Sequence, residues 1–141
     1  MFSQSISEIV LVVRDVGVAE RFYREVVGLR PLSEPTDEWA WFWTGEPDRS
    51  AMLAVHRGKL LFEEHAPTPP APPTPPARRW GPIHYAFRVP RDRLDDAVAH
   101  VRAAGVTVHG PVPLTWMRAT SYYFYDPDGN LLEWWSPDDP A

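Results

Sequence analysis

Ser121–Pro137 runs SYYFYDPDGNLLEWWSP. A run rich in Tyr and Phe meets Asp126-Pro127-Asp128-Gly129, and a second apolar run follows. Pro at the second position of DPDG presets the backbone for a tight turn, and Gly at the fourth relieves strain on leaving it. The stretch therefore predicts a β-hairpin. Its second arm sets one acid, Glu133, among Leu131, Leu132, Trp134 and Trp135. A carboxylate in that company is paired, protonated or bound to a cation, because burying an isolated charge is too costly. The competing reading is an acid at a frayed sheet edge.

Upstream, the pattern of strand, helix and glycine occurs twice. Ile6–Val13 has the β-branched content of a strand, with Glu8, Val10 and Val12 on one face. Asp15 offers an N-cap to a helix over roughly Val16–Val27, with Val18, Ala19, Phe22, Tyr23 and Val26 as its buried stripe and Gly28 as its stop. Three strands are expected next: Glu38–Thr44 with Trp39, Trp41 and Trp43 on one face, then Ala51–His56 and Leu60–Glu64. The second pass begins with a strand at Ile83–Val89, which places His84, Ala86 and Arg88 on one face. A helix from Pro90 to about Ala104 follows, stopped by Gly105. Between the passes lies Pro67–Pro76, PTPPAPPTPP, unable to join a sheet ladder. Polyproline II would extend it over ~30 Å, a stiff intramolecular strap.

The distance from Glu8 to Gly28 (20 residues) matches that from His84 to Gly105 (21), so Glu8 and His84 are equivalent positions. Both halves also carry Gly-x-Leu-Leu: Gly58-Lys59-Leu60-Leu61-Phe62 and Gly129-Asn130-Leu131-Leu132-Glu133. On this alignment Phe62 takes the place of Glu133. Two acids and a histidine at related positions point to a metal or catalytic site. His56, His65, His100 and His109 read as solvated.

Composition narrows the class. The 141 residues suit one domain built of two half-size modules: 4–66, a Pro-rich strap over 67–80, and 81–137. The absence of Cys excludes disulfides and thiolate metal sites. A net charge of −5 argues against nucleic acid. No signal-peptide pattern or membrane span is legible, so the expectation is a cytoplasmic protein with no membrane partner. Seven Trp, five Tyr and six Phe exceed what a core of this size needs and favour a flat, apolar or aromatic ligand.

EIVLVVRDVGVAERFYREVVGL, GPIHYAFRV and SYYFYDPDGNLLEW, in that order, resemble the vicinal oxygen chelate superfamily of glyoxalases, extradiol dioxygenases, fosfomycin-inactivating enzymes and bleomycin-resistance proteins. The resemblance implies an α+β fold of two tandem βαβββ modules with mixed curled sheets around a cavity. It implies a homodimer and a divalent metal held by Glu8, His84 and Glu133, with Tyr123 beside it. Glu8 stands where the family usually has His, and Phe62 where glyoxalases have a fourth ligand, so glyoxalase-type isomerisation is disfavoured. Two carboxylates and one His neutralise a divalent ion and favour Mn, Fe or Mg, with Zn and Ni left open. Fosfomycin inactivation is disfavoured too, since the family's fosfomycin enzymes need a basic residue in the loop before Tyr123, where only Arg118 stands and in a different register. The expectation is a metal-dependent lyase, isomerase or dioxygenase acting on a small oxygenated molecule. Tyr123, Phe62, Trp41, Trp135 and Arg88 are its substrate-binding residues. The alternative is a metal-free, non-catalytic binder that sequesters an antibiotic-like small molecule.

Overall fold

A computed structural model describes residues 5–57 and 84–139. The chain divides into two compact units, Met1–Pro69 and Pro70–Ala141.

In the first unit, strand β1 (Glu8–Val12) leads to helix α1 (Val16–Arg21). Asp15 caps the helix, its carboxylate accepting the Val18 N–H at 2.9 Å. The helix then widens into one π turn over Phe22–Val26, closed by Val27 N–H donating to the Phe22 carbonyl at 3.1 Å. Gly28, at φ +80°, reverses the chain where a side chain would be strained. A two-residue strand β2 (Arg30–Pro31), unforeseen from sequence, precedes β3 (Trp39–Trp43) and β4 (Met52–His56). The sheet order is β1-β4-β3-β2, with β1 and β4 parallel and the other pairs antiparallel. The core lies under the helix side, where Ile9 and Leu11 alternate with the open-face residues and Ala40, Phe42, Leu53 and Val55 are buried.

The second unit repeats this plan. Strand β5 (His84–Arg88) is followed by a 3-10 turn at Arg91–Arg93 and helix α2 (Leu94–Ala103), which buries Leu94, Val98 and Val101. Strand β6 (His109–Leu114), the third strand of the expected module though not placed from sequence, is the sheet edge, where Pro111 and Pro113 remove no needed ladder bond. Strands β7 (Ala119–Tyr125) and β8 (Leu131–Pro137) are the arms of the expected hairpin. The order is β5-β8-β7-β6, again with first and last strands parallel. The fold is therefore α+β, two tandem βαβββ units. Among the described residues no helix is long and apolar enough to cross a membrane.

Pairing register corrects the alignment of the halves. Glu133 faces Ala86, two residues past His84, and Ala54 faces Val10, two residues past Glu8. Ala54, not Phe62, thus stands where Glu133 stands, and Trp41 stands where Tyr123 does. The Gly-Leu-Leu likeness misled because the strand that pairs with β1 is Met52–His56. Phe62, the expected strand Leu60–Glu64, His65 and the Pro67–Pro76 strap lie outside the described residues.

Candidate functional site on the second sheet

Period 2 sorts the second sheet into two faces. Tyr85, Phe87, Leu132, Trp134 and Phe124 pack toward the helix, with Trp134 against Phe87 and Phe124 at ring separations of 5.7 and 5.3 Å. The opposite face presents His84, Ala86, Arg88, Glu133, Trp135, Ser121 and Tyr123. Leu132 and Trp134, expected around Glu133, are its strand neighbours but face away.

Glu133 is 4% exposed, and its carboxylate is held at both oxygens. The Ser121 hydroxyl donates to Oε1 at 2.5 Å. His84 Nε2 lies 3.0 Å from Oε2. Charge-assisted bonds of this kind are what make a buried carboxylate tolerable. The reading of Glu133 as a frayed-edge acid therefore falls. The imidazole keeps 40% of its side chain exposed, so the pair joins a buried carboxylate to a partly open ring.

Tyr123 lies directly across from Glu133 on β7 and meets the His84 ring edge-on at 6.1 Å. Its phenol is pushed above the usual tyrosine value by burial, then by the negative charge of Glu133 and a hydrogen bond to it, with Ser121 acting the other way. Like an ordinary phenol, it is a neutral hydrogen-bond donor at ordinary pH. One rung further, Arg88 lays its guanidinium over the Trp135 indole, 5.8 Å from the ring centroid. Arg118 is engaged elsewhere, in an ion pair with Asp139.

The remaining expected residues sit on the first unit. Glu8 is exposed on the open face of β1, opposite Met52. Trp39, Trp41 and Trp43 share the corresponding face of β3, half-buried. Trp39 stacks on Trp41 at 5.1 Å with ring planes 3° apart, and on His56 at 3.9 Å. His56 is thus not solvated. It is 9% exposed, and Nδ1–H donates to the Glu38 carbonyl at 3.0 Å, the only role open to a nitrogen facing a carbonyl oxygen. Its place opposite Trp39 is set by strand register, which no local sequence signal carries. His109 likewise is half-buried, edge-on to Tyr125 at 6.4 Å.

Two of the three expected metal ligands, His84 and Glu133, come together, and their donor set suits a divalent ion. An imidazole nitrogen and a carboxylate oxygen lie within one bond length of a common point, and Ser121 orients the carboxylate from behind, as outer-shell partners do. Among the described residues no group of three His, Asp or Glu side chains is gathered in one place.

Comparison with known proteins agrees with this architecture. An uncharacterized protein of Escherichia coli, YaeR, is 33% identical over 133 residues, covering 92% of this chain and 94% of that one. A glyoxalase/dioxygenase from Nostoc punctiforme superposes with a TM-score of 0.70 at 25% identity, covering 96% and 92% of the two chains. At 19% identity, and so as a likeness of fold alone, the Listeria monocytogenes fosfomycin resistance protein FosX superposes with a TM-score of 0.65 over 95% of this chain and 90% of that one. That structure holds Mn(II) and 1S,2S-dihydroxypropylphosphonic acid. The model of one family matches residues 5–134, and with both βαβββ units in place this chain belongs to the Glyoxalase/Bleomycin resistance protein/Dioxygenase superfamily.

Proposed function

We propose that this chain is a divalent-metal-dependent enzyme of lyase, isomerase or dioxygenase type acting on a small oxygenated molecule, with His84, Glu133 and Glu8 as the metal ligands. The observation that carries this reading is the His84–Glu133 pair, a buried carboxylate bonded to a half-open imidazole on one sheet face. The Mn(II) of the FosX relative supports it at the level of the family. When bound, the ion would supply polarisation of a substrate oxygen. The chain's own residues do the rest. Tyr123, neutral at ordinary pH, donates a hydrogen bond. His84 Nε2 and Glu133 Oε2, 3.0 Å apart, would hold the ion. Ser121 keeps the carboxylate in place. Trp41 and Trp135 are proposed to wall the substrate. A homodimer is proposed as well, to be checked by light scattering at micromolar concentration.

The test is titration calorimetry with Mn(II), Mg(II) and Zn(II) on protein stripped of metal. Wild type should bind one divalent ion per chain, and His84→Ala or Glu133→Gln should abolish binding. Glu8→Gln should weaken every ion, whereas Glu8→His should favour Zn(II) over Mg(II), because imidazole suits zinc. Equal affinities across the Glu8 series would remove Glu8 from the site. No binding by wild type would overturn the enzyme reading.

A second reading rests on the Trp39–Trp41–His56 stack, an aromatic column suited to a flat ligand. It makes the chain a metal-free binding protein. Protein purified with an ordered organic ligand and no metal would favour it.

A further inference from the structure

We infer that Arg88, seated on Trp135, is an anion-recognition point, and that the ligand of this face carries a carboxylate. This rests on the proposed function only for the position of the reacting end; anion binding itself needs no metal.

The inference starts from how the guanidinium is held. Arg88 is exposed at the end of β5, directly opposite Trp135 in register, with Cζ 5.8 Å from the indole centroid. Among the described residues it forms no ion pair or hydrogen bond. A cation–π contact engages the face of the guanidinium and restricts its rotation. It does not consume the N–H groups, which lie in the guanidinium plane and form a fork that matches a carboxylate. A flexible arginine must lose side-chain entropy to bind an anion; one drawn toward an indole at 5.8 Å has lost part of it. Among the described residues the indole N–H of Trp135 is itself buried without an acceptor, an unmet donor on the same side chain.

Position gives the ligand its length. Glu133 faces Ala86 and Trp135 faces Arg88, so the two sites are one side-chain repeat apart, about 7 Å along the strand. An acid with its carboxylate at Arg88 and an oxygen function a few bonds away reaches the His84–Glu133–Tyr123 group. Only His84, Arg88 and Glu133 are ionisable on these two strands' open face besides the phenols across from them, so Arg88 is the fixed cation there.

The probe pair is glycolate and glycolamide, alike in size and hydroxyl but differing in charge. Binding is read by calorimetry and by the indole N–H resonance of Trp135 and the Nε–H resonance of Arg88 in heteronuclear NMR, each assigned with Trp135→Phe and Arg88→Lys. Wild type should prefer glycolate by about tenfold or more, the scale of a charge-assisted hydrogen bond. Both resonances should shift with it. Arg88→Gln should erase the preference and leave glycolamide unchanged. Arg88→Lys should retain only part of it, since an ammonium lacks the fork. Because Arg88 is exposed, these variants are expected to fold, which circular dichroism checks. Equal binding of the two probes, an unaltered preference in Arg88→Gln, or shifts confined to other residues would overturn the inference. The experiment is run without and with Mn(II). Glycolate preference without metal and no Mn(II) binding would sink the metal reading and leave Arg88 in place. Mn(II) binding with no preference would do the reverse.

Discussion

Ala54 holds in the first sheet the place that Glu133 holds in the second: each faces the residue two past the start of the parallel strand beside it, Val10 for one and Ala86 for the other. Across the antiparallel neighbour, Ala54 meets Trp41 and Glu133 meets Tyr123. One plan thus carries two chemistries, an aromatic face and a polar one. Ala54 is fully buried, so nothing on its sheet prepares the position for charge. Ala54→Glu should destabilise the protein by about 3 kcal/mol or more, the effect of an unpaired buried carboxylate. Urea unfolding followed by circular dichroism measures it.

Ser121 is fully buried and donates to Glu133 Oε1. Ser121→Ala should leave the fold intact and lower Mn(II) affinity by roughly tenfold, as the loss of an outer-shell partner does. Calorimetry on the stripped protein reads the change. An unchanged affinity would show that Ser121 serves packing alone.

Three phenols, Tyr85, Tyr123 and Tyr125, are raised above the ordinary value of 10.0, each chiefly by burial. The unfolded chain then loses these protons at lower pH than the folded one. The folded state binds more protons in that window, so stability falls as pH rises. It should be intact below pH 10.0 and decline above it, through the folded pKa values. Ultraviolet titration should show delayed phenolate formation, and Tyr123→Phe should remove part of the alkaline loss.

The hairpin turn is held by one side chain. Asp126 is buried, and its Oδ1 accepts from the N–H of Asp128 at 2.9 Å and of Asn130 at 2.8 Å, while Oδ2 accepts from the Asn130 amide at 2.8 Å. Asp126→Ala leaves these donors without their acceptor, and should lower stability by about 2–4 kcal/mol. Asp126→Asn retains one acceptor oxygen and should cost less. Thermal unfolding of both variants, with binding measured alongside, checks the order.

His56 fills the end of the aromatic column on Trp39 and donates to the Glu38 carbonyl. His56→Ala removes both contacts, and should cost about 1–3 kcal/mol in urea unfolding. The intrinsic fluorescence should change as Trp39 loses its cover.

Local signals were enough for the hairpin, the caps and the repeat. DPDG specifies a turn, Asp15 and Gly28 bound a helix, and period 2 assigns Glu8 and His84 to corresponding faces, because each is a property of a few adjacent residues. The edge strands β2 and β6 carried little such signal, being two residues long in one case and proline-rich in the other. Pairing register was beyond local reach. Whether Ala54 or Phe62 matches Glu133 depends on which strand crosses over to lie parallel to β1, a choice made by hydrogen bonds between segments some 40 residues apart. The same holds for the bonds that make Glu133 a site. Ser121 and His84 reach its two oxygens from different strands, at sequence separations of 12 and 49 residues. A carboxylate's need for partners is legible in its neighbours, but which side chains meet that need is decided only when the sheet closes around it.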